Sequence, residues 1–319
     1  MIESRVHFHR ARSGNRKTDS GSILILALWA LLLLSAAVFA WVKFIDQNIS
    51  FTGDRNDGLT AKALAHSGVI VALHPAVSRL TPILNQQLGP DRGYKVQMTG
   101  EGGRLDLKWL FTPPEHPDPG KIAIFQRYLL GRGVTLQQQM RLVDCILDWL
   151  TPPNAPQHLN GAKADANYHP PGRESFLSVD ELAQVKGSEP LVSQPGWEDD
   201  FTIYSGQGVD LQSASLRILE ALPGVGQANA VRFLQVRQGP DGMDGTRDDH
   251  IFANAAEALS YLGLNSAQIN AITSYVYVEN PLSTVHLLST GQCRNVQRRL
   301  EVVAKKMNMQ PIILSWKEL

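Results

Sequence analysis

The sequence predicts an α+β fold that combines one long N-terminal helix, a small antiparallel sheet and a large, mostly helical block inserted between the strands. Three observations predict it. An uncharged apolar run occupies 22–42, near the N-terminus. Segments with the alternating pattern of strands lie far apart along the chain, at 94–110 and 283–316. Between them, most segments repeat their apolar residues at the intervals of helices.

The composition is that of an ordinary globular protein, with 43% hydrophobic and 19% charged residues in 319, enough for one large or two modest domains. Residues 1–21 carry five basic and two acidic side chains, so +3, and the remainder carries 25 and 28, so −3. A mildly acidic body offers no electrostatic reason to expect nucleic acid as the main partner. Cys145 and Cys293 are expected to be two buried thiols rather than a disulfide bridge.

The run at 22–42 contains no charged residue. As a helix it spans roughly 30 Å, the hydrocarbon thickness of a bilayer. The basic residues that precede it predict a cytoplasmic N-terminus and export of everything after Lys43. One alternative is a cleaved signal peptide, with its apolar core at 24–34 and cleavage after Ala40. The apolar run is longer than such a signal needs.

A short basic leader that ends in Gly21 and directly abuts an apolar helix resembles the type IV prepilin leader. The resemblance implies that a prepilin peptidase cuts after Gly21, that Ser22 becomes the methylated mature N-terminus, and that the helix is retained. Most relatives carry Glu at the fifth mature position, where it neutralises the terminal amine of a neighbouring subunit, but here that position is Leu26. Since an unpaired buried charge is costly, Leu26 indicates a subunit with nothing above it, at the tip of a filament. The alternative is an anchor that never assembles.

Beyond the membrane segment the helix is expected to continue. Glycine, aspartate and asparagine at 53–58 are expected to bend or locally melt it. The residues that repeat at intervals of three and four, and so lie on one helical face, are Leu59, Ala63, His66, Ile70, Leu73 and Val77. His66 on this stripe is expected to be a core histidine.

The strand patterns predict a hairpin at 94–110 around a glycine-rich turn at 100–103, a second hairpin at 283–306 with its turn at 291–295, and a last strand at 311–316. Ser178 with Glu181 predicts a capping box, and Asn265 or Ser266 is expected to cap the last helix. The predicted helices of the middle region are 122–131, 136–150, 178–187, 215–222, 228–238, 254–263 and 265–278.

The order of these parts resembles the general secretion pathway protein K family, the large minor pseudopilins of the bacterial type II secretion system. The matching stretches include "YKVQMTGEGGRLDLKWL", "LVDCILDWL", "FLSVDELAQVKG", "DFTIYSGQGVDLQSASLRILEALPGVG" and "LLSTGQCRNVQRRLEVVAKK". The resemblance implies a pilin-like long N-terminal helix packed on a small antiparallel sheet. The implied organisation is a leader at 1–21, a transmembrane helix at 22–42, a pilin-like helix and first strands at 43–108, an inserted helical domain at 109–281 and C-terminal strands at 282–319.

The resemblance also implies a role and partners. The role is to cap the tip of the periplasmic pseudopilus and to prime its assembly for protein export across the outer membrane. The implied partners are minor pseudopilins of the I and J types, the major pseudopilin, the inner-membrane assembly platform and prepilin peptidase. The chain is expected to cross the inner membrane once, with its C-terminal domain in the periplasm. The polar loop at 151–172 departs from the family pattern, since Lys163 and Ala164 stand where relatives often have acidic residues.

A helix-hairpin-helix motif is predicted at about 215–238. In other proteins the glycine N–H groups of this motif approach a DNA phosphate. Here Gln227 follows the turn and the nearest cation is Arg232, so a compact packing unit is favoured and no nucleic acid is expected. The turn residues are Pro223, Gly224, Val225 and Gly226.

The acidic loop at 240–249 is the strongest chemical signal in the sequence. Carboxylates crowded so closely repel one another unless they are solvated or neutralised by a hard cation, and calcium takes six to eight oxygen ligands. A solvated acidic turn is the alternative, but relatives carry calcium in their helical domain, so the resemblance implies a structural Ca²⁺ here. The expected ligands are Asp241, Asp244, Thr246, Asp248 and Asp249.

Enzyme signatures are absent from the sequence: it has no Gly-x-Ser-x-Gly elbow, P-loop, His-Glu-x-x-His or Cys-x-x-Cys motif. The sequence therefore predicts a non-enzymatic assembly protein. The alternatives are a membrane-anchored DNA receptor that uses the helix-hairpin-helix, and a secreted enzyme released by signal cleavage.

Overall fold

The structure is a computed structural model that describes residues 20–162, 164–279, 282–307 and 310–319, with only the backbone described at 20–22, 46 and 48–54. It consists of two compact units, 1–56 and 57–319. Most of the predicted leader, 1–19, and Lys163 of the polar loop lie outside the described residues. The predicted cleavage point between Gly21 and Ser22 falls where only the backbone is described.

Beyond the first helix, groups of strands and groups of helices follow one another along the chain. The helices are α1 Ser20–Leu73, α2 Leu107–Phe111, α3 Pro119–Gly131, α4 Leu136–Leu150, α5 Glu189–Val192, α6 Leu216–Ala221, α7 Gln227–Arg237, α8 Ala255–Tyr261 and α9 Ser266–Ile272. The strands are β1 Asn85–Gly89, β2 Arg92–Gly100, β3 Leu105–Asp106, β4 Phe201–Thr202, β5 Val209–Asp210, β6 Val276–Tyr277, β7 Thr284–Cys293, β8 Val296–Lys305 and β9 Ile312–Glu318.

The main sheet has five antiparallel strands in the order β1-β2-β7-β8-β9. Strands β2 and β7 pair along their whole length, from Arg92 opposite Cys293 to Gly100 opposite Val285. Everything between 101 and 283 is therefore inserted between two neighbouring strands. The predicted α+β fold class, with a long N-terminal helix and an antiparallel sheet, is confirmed.

Helix α1 begins in the first unit and ends in the second. The local melting predicted at 53–58 is wrong, because these residues are helical, whereas the predicted bend stays a prediction. Asp57 is buried and accepts a hydrogen bond from Arg294 at 3.0 Å. Gly58 packs beside Arg298, whose guanidinium lies 3.3 Å from where a Cβ would be. These contacts with the β7–β8 hairpin compensate for the low helix propensity of aspartate and glycine.

In the second unit, α1 packs on the sheet through small side chains. A Cβ at Gly68 would lie 2.6 Å from Ser289 Oγ, and a Cβ at Gly291 would lie 2.0 Å from the carbonyl oxygen of Ala61. Ser289 Oγ also donates a hydrogen bond to the carbonyl oxygen of Ala65 at 2.8 Å. Such close approach leaves no room for a side chain at Gly68 or Gly291. The buried face of this part of α1 is made by Ala61, Ala65, Gly68, Val69 and Ala72.

Most of the apolar stripe predicted on this part of the chain therefore does not face the core. Leu73 and Val77, at and beyond the end of α1, are buried. Leu59 and Ile70 have 65% and 70% of their surface exposed, and Ala63 is exposed too. The spacing of large apolar residues indicated the helix, but the short distance between helix and sheet selects the small residues for burial.

The C-terminal strand predictions are confirmed, since β7, β8 and β9 lie at 283–306 and 311–316 with a turn at Arg294. The predicted hairpin at 94–110 is wrong. The first hairpin is β1–β2, and after β2 the chain passes through a 3₁₀ turn into the two-residue strand β3 and helix α2. A Cβ at Gly103 would lie 2.2 Å from the carbonyl oxygen of Ser213. The glycine-rich segment is therefore a close contact with the inserted block rather than a hairpin turn.

Most predicted helices of the inserted block correspond to helices, and α4 coincides with 136–150. Asn265 caps α9, which is shorter than predicted because the chain continues into β6. The helix predicted at 178–187 is wrong: the segment forms a 3₁₀ helix, Val179–Gln184, and Ser178 makes no capping hydrogen bond. Glu181, the other member of the predicted capping box, instead pairs with Arg173 at 2.9 Å.

The inserted block has its own hydrophobic core, distinct from the core between α1 and the sheet. Aromatic rings fill it; the centroids of Tyr128 and Phe201 are 5.1 Å apart. Beside them the nearly buried carboxylate of Asp200 pairs with Arg132 and Arg217 and accepts a hydrogen bond from Tyr128 at 2.8 Å. Cys145 and Cys293 are buried free thiols, as predicted. A block with its own core can be inserted into the sheet without disturbing strand pairing.

A half-buried polar cluster joins the sheet to the start of the inserted block. Glu301 of β8 accepts hydrogen bonds from His286 of β7 at 2.8 Å and from Arg104 at 3.0 Å. These two donors lower the pKa of Glu301 to about 2. The ionised carboxylate therefore stabilises the folded state at neutral pH.

The contact between α1 and β7 predicts a large effect of one methyl group. Gly291→Ala places a Cβ against the backbone of α1, which cannot move aside as a side chain can, so it is expected to lower the free energy of unfolding by roughly 1–3 kcal/mol. Gly89→Ala is the matched control, because nothing lies within 4 Å of the added Cβ. Denaturant unfolding of both variants tests the packing; equal stability of the two would contradict it.

The polar cluster predicts a pH dependence. Because the folded-state pKa of Glu301 is below its ordinary value of 4.5, its contribution is present above about pH 4.5 and is lost as the pH falls towards 2. At neutral pH, Glu301→Gln is expected to cost on the order of 2 kcal/mol of unfolding free energy. The difference from the natural chain should shrink between pH 5 and pH 2, as measured by unfolding at a series of pH values. A difference that does not vary with pH would contradict the assignment.

Candidate functional site

The first unit presents an apolar helical surface. In the described part of the chain, one stretch is long and apolar enough to cross a membrane, Ile23–Ile45, with mean hydropathy 2.8 and no buried residue. Its 23 residues span about 34 Å as a helix. Leu26 lies within it with 69% of its surface exposed. A continuous apolar surface of this length suits lipid or other apolar helices, not water.

The second unit carries a smaller apolar surface on the part of α1 that faces away from the sheet. We name it the α1 outer face, and it consists of Leu59, Ala63 and Ile70. The histidine of the same stripe, His66, is half-buried and packs on Trp316 of β9, with ring centroids 4.9 Å apart. The regular spacing in the sequence had indicated the whole stripe. The three residues of the α1 outer face are exposed in the structure and so are available to a partner.

Helices α6 and α7 flank the turn at which the sequence predicts a helix-hairpin-helix. Val225 is buried, and Gly226 is the N-cap residue of α7. Gly224 has φ of +81°, in the left-handed region that favours glycine. Pro223 precedes it in the turn and is half-buried. A helix therefore lies on each side of this tight turn.

The surroundings of the hairpin favour packing over phosphate binding. Gln268 of α9 donates to the carbonyl oxygen of Gly224 at 3.4 Å and lies beside this exposed glycine. Two of the arginines near the turn already have other contacts, since Arg217 pairs with Asp200 at 2.7 Å and Arg237 is fully buried. The third, Arg232, is exposed but lies further along α7, away from the turn. The hairpin thus connects α9 with α6 and α7.

Arg237, the last residue of α7, organises the acidic loop. Its guanidinium is fully buried, donates to the carbonyl oxygens of Leu211 and Ala214 at 2.9 and 2.7 Å, and pairs with Asp244 at 2.7 Å. Gln238 donates to the other carboxylate oxygen of Asp244 at 2.9 Å. A buried cation therefore already neutralises one of the four carboxylates.

Asp248 and Asp249 face the middle of the loop. The hydroxyl of Thr246 lies 2.9 Å from Asp248 Oδ1, 3.2 Å from Asp249 Oδ1 and 3.2 Å from the carbonyl oxygen of Met243. A hydroxyl has one proton to donate, so it cannot satisfy three acceptors at once. Burial raises the pKa of Asp249. The backbone N–H of Asp241 and the hydroxyl of Thr246 lower the pKa of Asp248.

These oxygens fit a hard cation only in part. Among the described residues, no three His, Cys, Asp or Glu side chains gather where they could hold one metal ion together. Asp244 is held by Arg237, and Asp241 Oδ1 accepts a hydrogen bond from the N–H of Met243 at 2.8 Å. The oxygens that converge belong to Asp248, Asp249, Thr246 and the Met243 carbonyl. The predicted set of five ligands is therefore not assembled as a whole.

Sequence reasoning missed Arg237 as a determinant of this loop. The signal available was a cation at the end of a helix, followed directly by a loop rich in aspartate. When the side chain of such a cation is directed into the core, it neutralises part of the negative charge of the loop without a metal ion. Its burial depends on tertiary contacts with Leu211 and Ala214, distant enough along the chain to leave no local pattern.

Comparisons with known proteins identify a similar fold. No protein-family model matches the sequence, and no curated protein matches it. Among solved structures, the chain is similar to a chain in the crystal structure of the GspK–GspI–GspJ complex from the enterotoxigenic Escherichia coli type 2 secretion system. The TM-score is 0.56 at 12% sequence identity, and the match covers 86% of this chain and 99% of that chain. At this identity the likeness shows the fold.

Proposed function

We propose that this protein is a minor pseudopilin of a type II secretion system, which caps the tip of the periplasmic pseudopilus and helps to initiate its assembly. The observation that carries the proposal is the fold likeness over 99% of a chain from the GspK–GspI–GspJ complex. The apolar segment of α1 and the basic leader before it support the same role independently, because both are features of this chain's own sequence.

The apolar helix supports a single-pass protein of the inner membrane. The basic leader favours a cytoplasmic N-terminus and a periplasmic C-terminal domain. Prepilin peptidase would cleave after Gly21 and the new amino terminus at Ser22 would be methylated. Leu26, an apolar residue where shaft subunits carry a carboxylate, supports a position at the tip.

The inserted block supports capping. It enters between β2 and β7 and comprises 101–283, so it adds a second hydrophobic core to the pilin-like part. A subunit of this bulk is too wide to fit within a shaft of slender subunits and is accommodated at an end. The described residues have no arrangement that we assign to catalysis, and the role proposed is mechanical.

The partners proposed are minor pseudopilins of the I and J types, with the major pseudopilin and the inner-membrane assembly platform. The α1 outer face supports this, since Leu59 and Ile70 are large, apolar and exposed. Apolar helices in pilin-like proteins bury such residues against neighbouring helices when subunits assemble. The helix-hairpin-helix serves the packing of the inserted block, and the hydrogen bond from Gln268 of α9 to its turn supports this role.

Substitutions on the α1 outer face test the assembly role. Leu59→Asp and Ile70→Asp are expected to reduce co-purification with the I- and J-type pseudopilins and secretion by at least about tenfold, because each buries a charge in an apolar contact. Unfolding of the variants should be unchanged, since both residues are exposed. Leu88→Asp, at an exposed position in β1, is the matched control and should assemble normally. Normal assembly of all three variants would contradict the proposal.

We further propose that a structural calcium ion stabilises the acidic loop through Asp248, Asp249, Thr246 and the Met243 carbonyl, rather than through Asp244. The excess of acceptors around the Thr246 hydroxyl supports this. A bound cation would supply the positive charge that the hydroxyl cannot, and its binding free energy would add to the stability of the folded state.

Melting temperature in calcium and in chelator tests this second proposal. A hundredfold excess of Ca²⁺ over its dissociation constant should add about 2.7 kcal/mol of stability, and Asp248→Asn should abolish most of the gain. Asp244→Asn should lower stability by about 3 kcal/mol with or without calcium, because it leaves Arg237 buried and unpaired. Identical melting in calcium and chelator would contradict calcium binding.

A further inference from the structure

A cavity of about 590 Å³ lies in the second unit, beside the end of helix α1. This is within the usual range for ligand pockets, about 300–1,000 Å³. The segment 75–80 after α1, Met98 of β2, and the residues that follow the acidic loop form its walls. Most of the lining is apolar, including Leu80, Ile251 and Leu282. The cavity is open to solvent on one side.

Arg79 is the unusual member of the lining. Only 7% of its surface is exposed. Its one hydrogen bond to a described residue goes to a neutral acceptor, the carbonyl oxygen of Glu279, at 3.4 Å. No carboxylate of the described residues lies within 4.0 Å of its guanidinium. Since a guanidinium has five N–H donors, most of those of Arg79 have no acceptor among the described residues.

A second cation at the cavity, Lys306, is already in use. Its ammonium group donates to the carbonyl oxygens of Ala72 and Val77, which are at and just beyond the end of α1. This contact is a C-terminal cap of the helix. Lys306 therefore adds positive charge to the wall of the cavity, whereas Arg79 provides N–H donors that have no acceptor among the described residues.

Nearby acids do not take the place of a direct partner. Asp210, Asp249 and Glu279 act on Arg79 through space and favour its charge, yet burial still lowers its pKa. Asp210 and Asp249 accept hydrogen bonds from backbone N–H groups, and Glu279 accepts from Ser283. A carboxylate in contact with the guanidinium would interact more strongly than these distant ones, because Coulomb energy falls with separation.

We propose that this cavity binds an acidic peptide segment of a partner protein, with a Glu or Asp carboxylate paired to Arg79 and a neighbouring apolar side chain on the wall formed by Leu80, Met98 and Ile251. The planar guanidinium suits a carboxylate that accepts two parallel hydrogen bonds. The apolar wall supplies affinity for the flanking side chain. The inference does not depend on the proposed secretion role.

A direct binding measurement tests it on the full chain in neutral detergent micelles. The probe is a fluorescently labelled peptide, Ala-Leu-Glu-Leu-Ala with blocked ends, compared with the same peptide carrying Gln in place of Glu. The Glu peptide is expected to bind about tenfold more tightly or better, since hydrogen bonds to charged groups contribute more than neutral ones. Equal binding of the two peptides would overturn the proposal.

Three variants separate binding from folding. Arg79→Met should remove the preference for Glu and leave the melting temperature equal or higher, because it removes a buried charge without a contacting partner. Ala253→Trp, at the exposed rim of the cavity, should weaken both peptides. Arg299→Met, at an exposed position in β8, is the matched control and should change nothing.

Three results would overturn the proposal. One is a large fall in melting temperature for Arg79→Met, which would make the arginine a structural residue. The second is unchanged peptide binding by both Arg79→Met and Ala253→Trp. The third is binding of 4-methylpentanoate with no binding of either peptide, which would make the cavity a site for small organic acids.

Discussion

The short distance between helix α1 and strands β2 and β7 constrains much of the second unit. At Gly291 the backbones of helix and strand approach so closely that a single added carbon would collide, and at Gly68 an added carbon would meet the side chains of Ser289 and Val96. The residues of α1 that face the sheet are accordingly mostly alanine and glycine, with Val69 among them. The helix is held by this close approach and by the hydrogen bond from Ser289, while Leu59 and Ile70 face outwards.

This arrangement separates the roles of the two faces of α1. The small-residue face is buried in its own sheet, whereas Leu59 and Ile70 are available to a neighbour. The inserted block does not interfere with this, because it has its own aromatic core and enters between two strands that remain fully paired. Bulk can therefore be added on the inserted side while the helical surface proposed for assembly stays open.

The sequence predicted the elements whose signals are local. The length of the apolar run, the amphipathic pattern of α4, the Leu-Pro-Gly-Val-Gly turn and the alternation of β7 and β8 all depend on neighbouring residues. Features set by distant contacts were not predictable in this way. Glycines at 100–103 resembled a hairpin turn but make room for Ser213. The segment 53–58 resembled a break in the helix, but its residue Asp57 is held by Arg294. The acidic loop resembled a set of calcium ligands, yet Asp244 pairs with Arg237, whose burial no local pattern reveals.

Retention of α1 as an intact apolar helix is the assumption that distinguishes an assembling pilin-like subunit from a secreted protein. Mass spectrometry of the N-terminal peptide, from protein isolated from membranes, measures it directly. A mature chain that begins at a methylated Ser22 would support cleavage after Gly21 with the helix kept. A chain that begins at Trp41, or that retains Met1 and the leader, would contradict the proposed role in a pseudopilus.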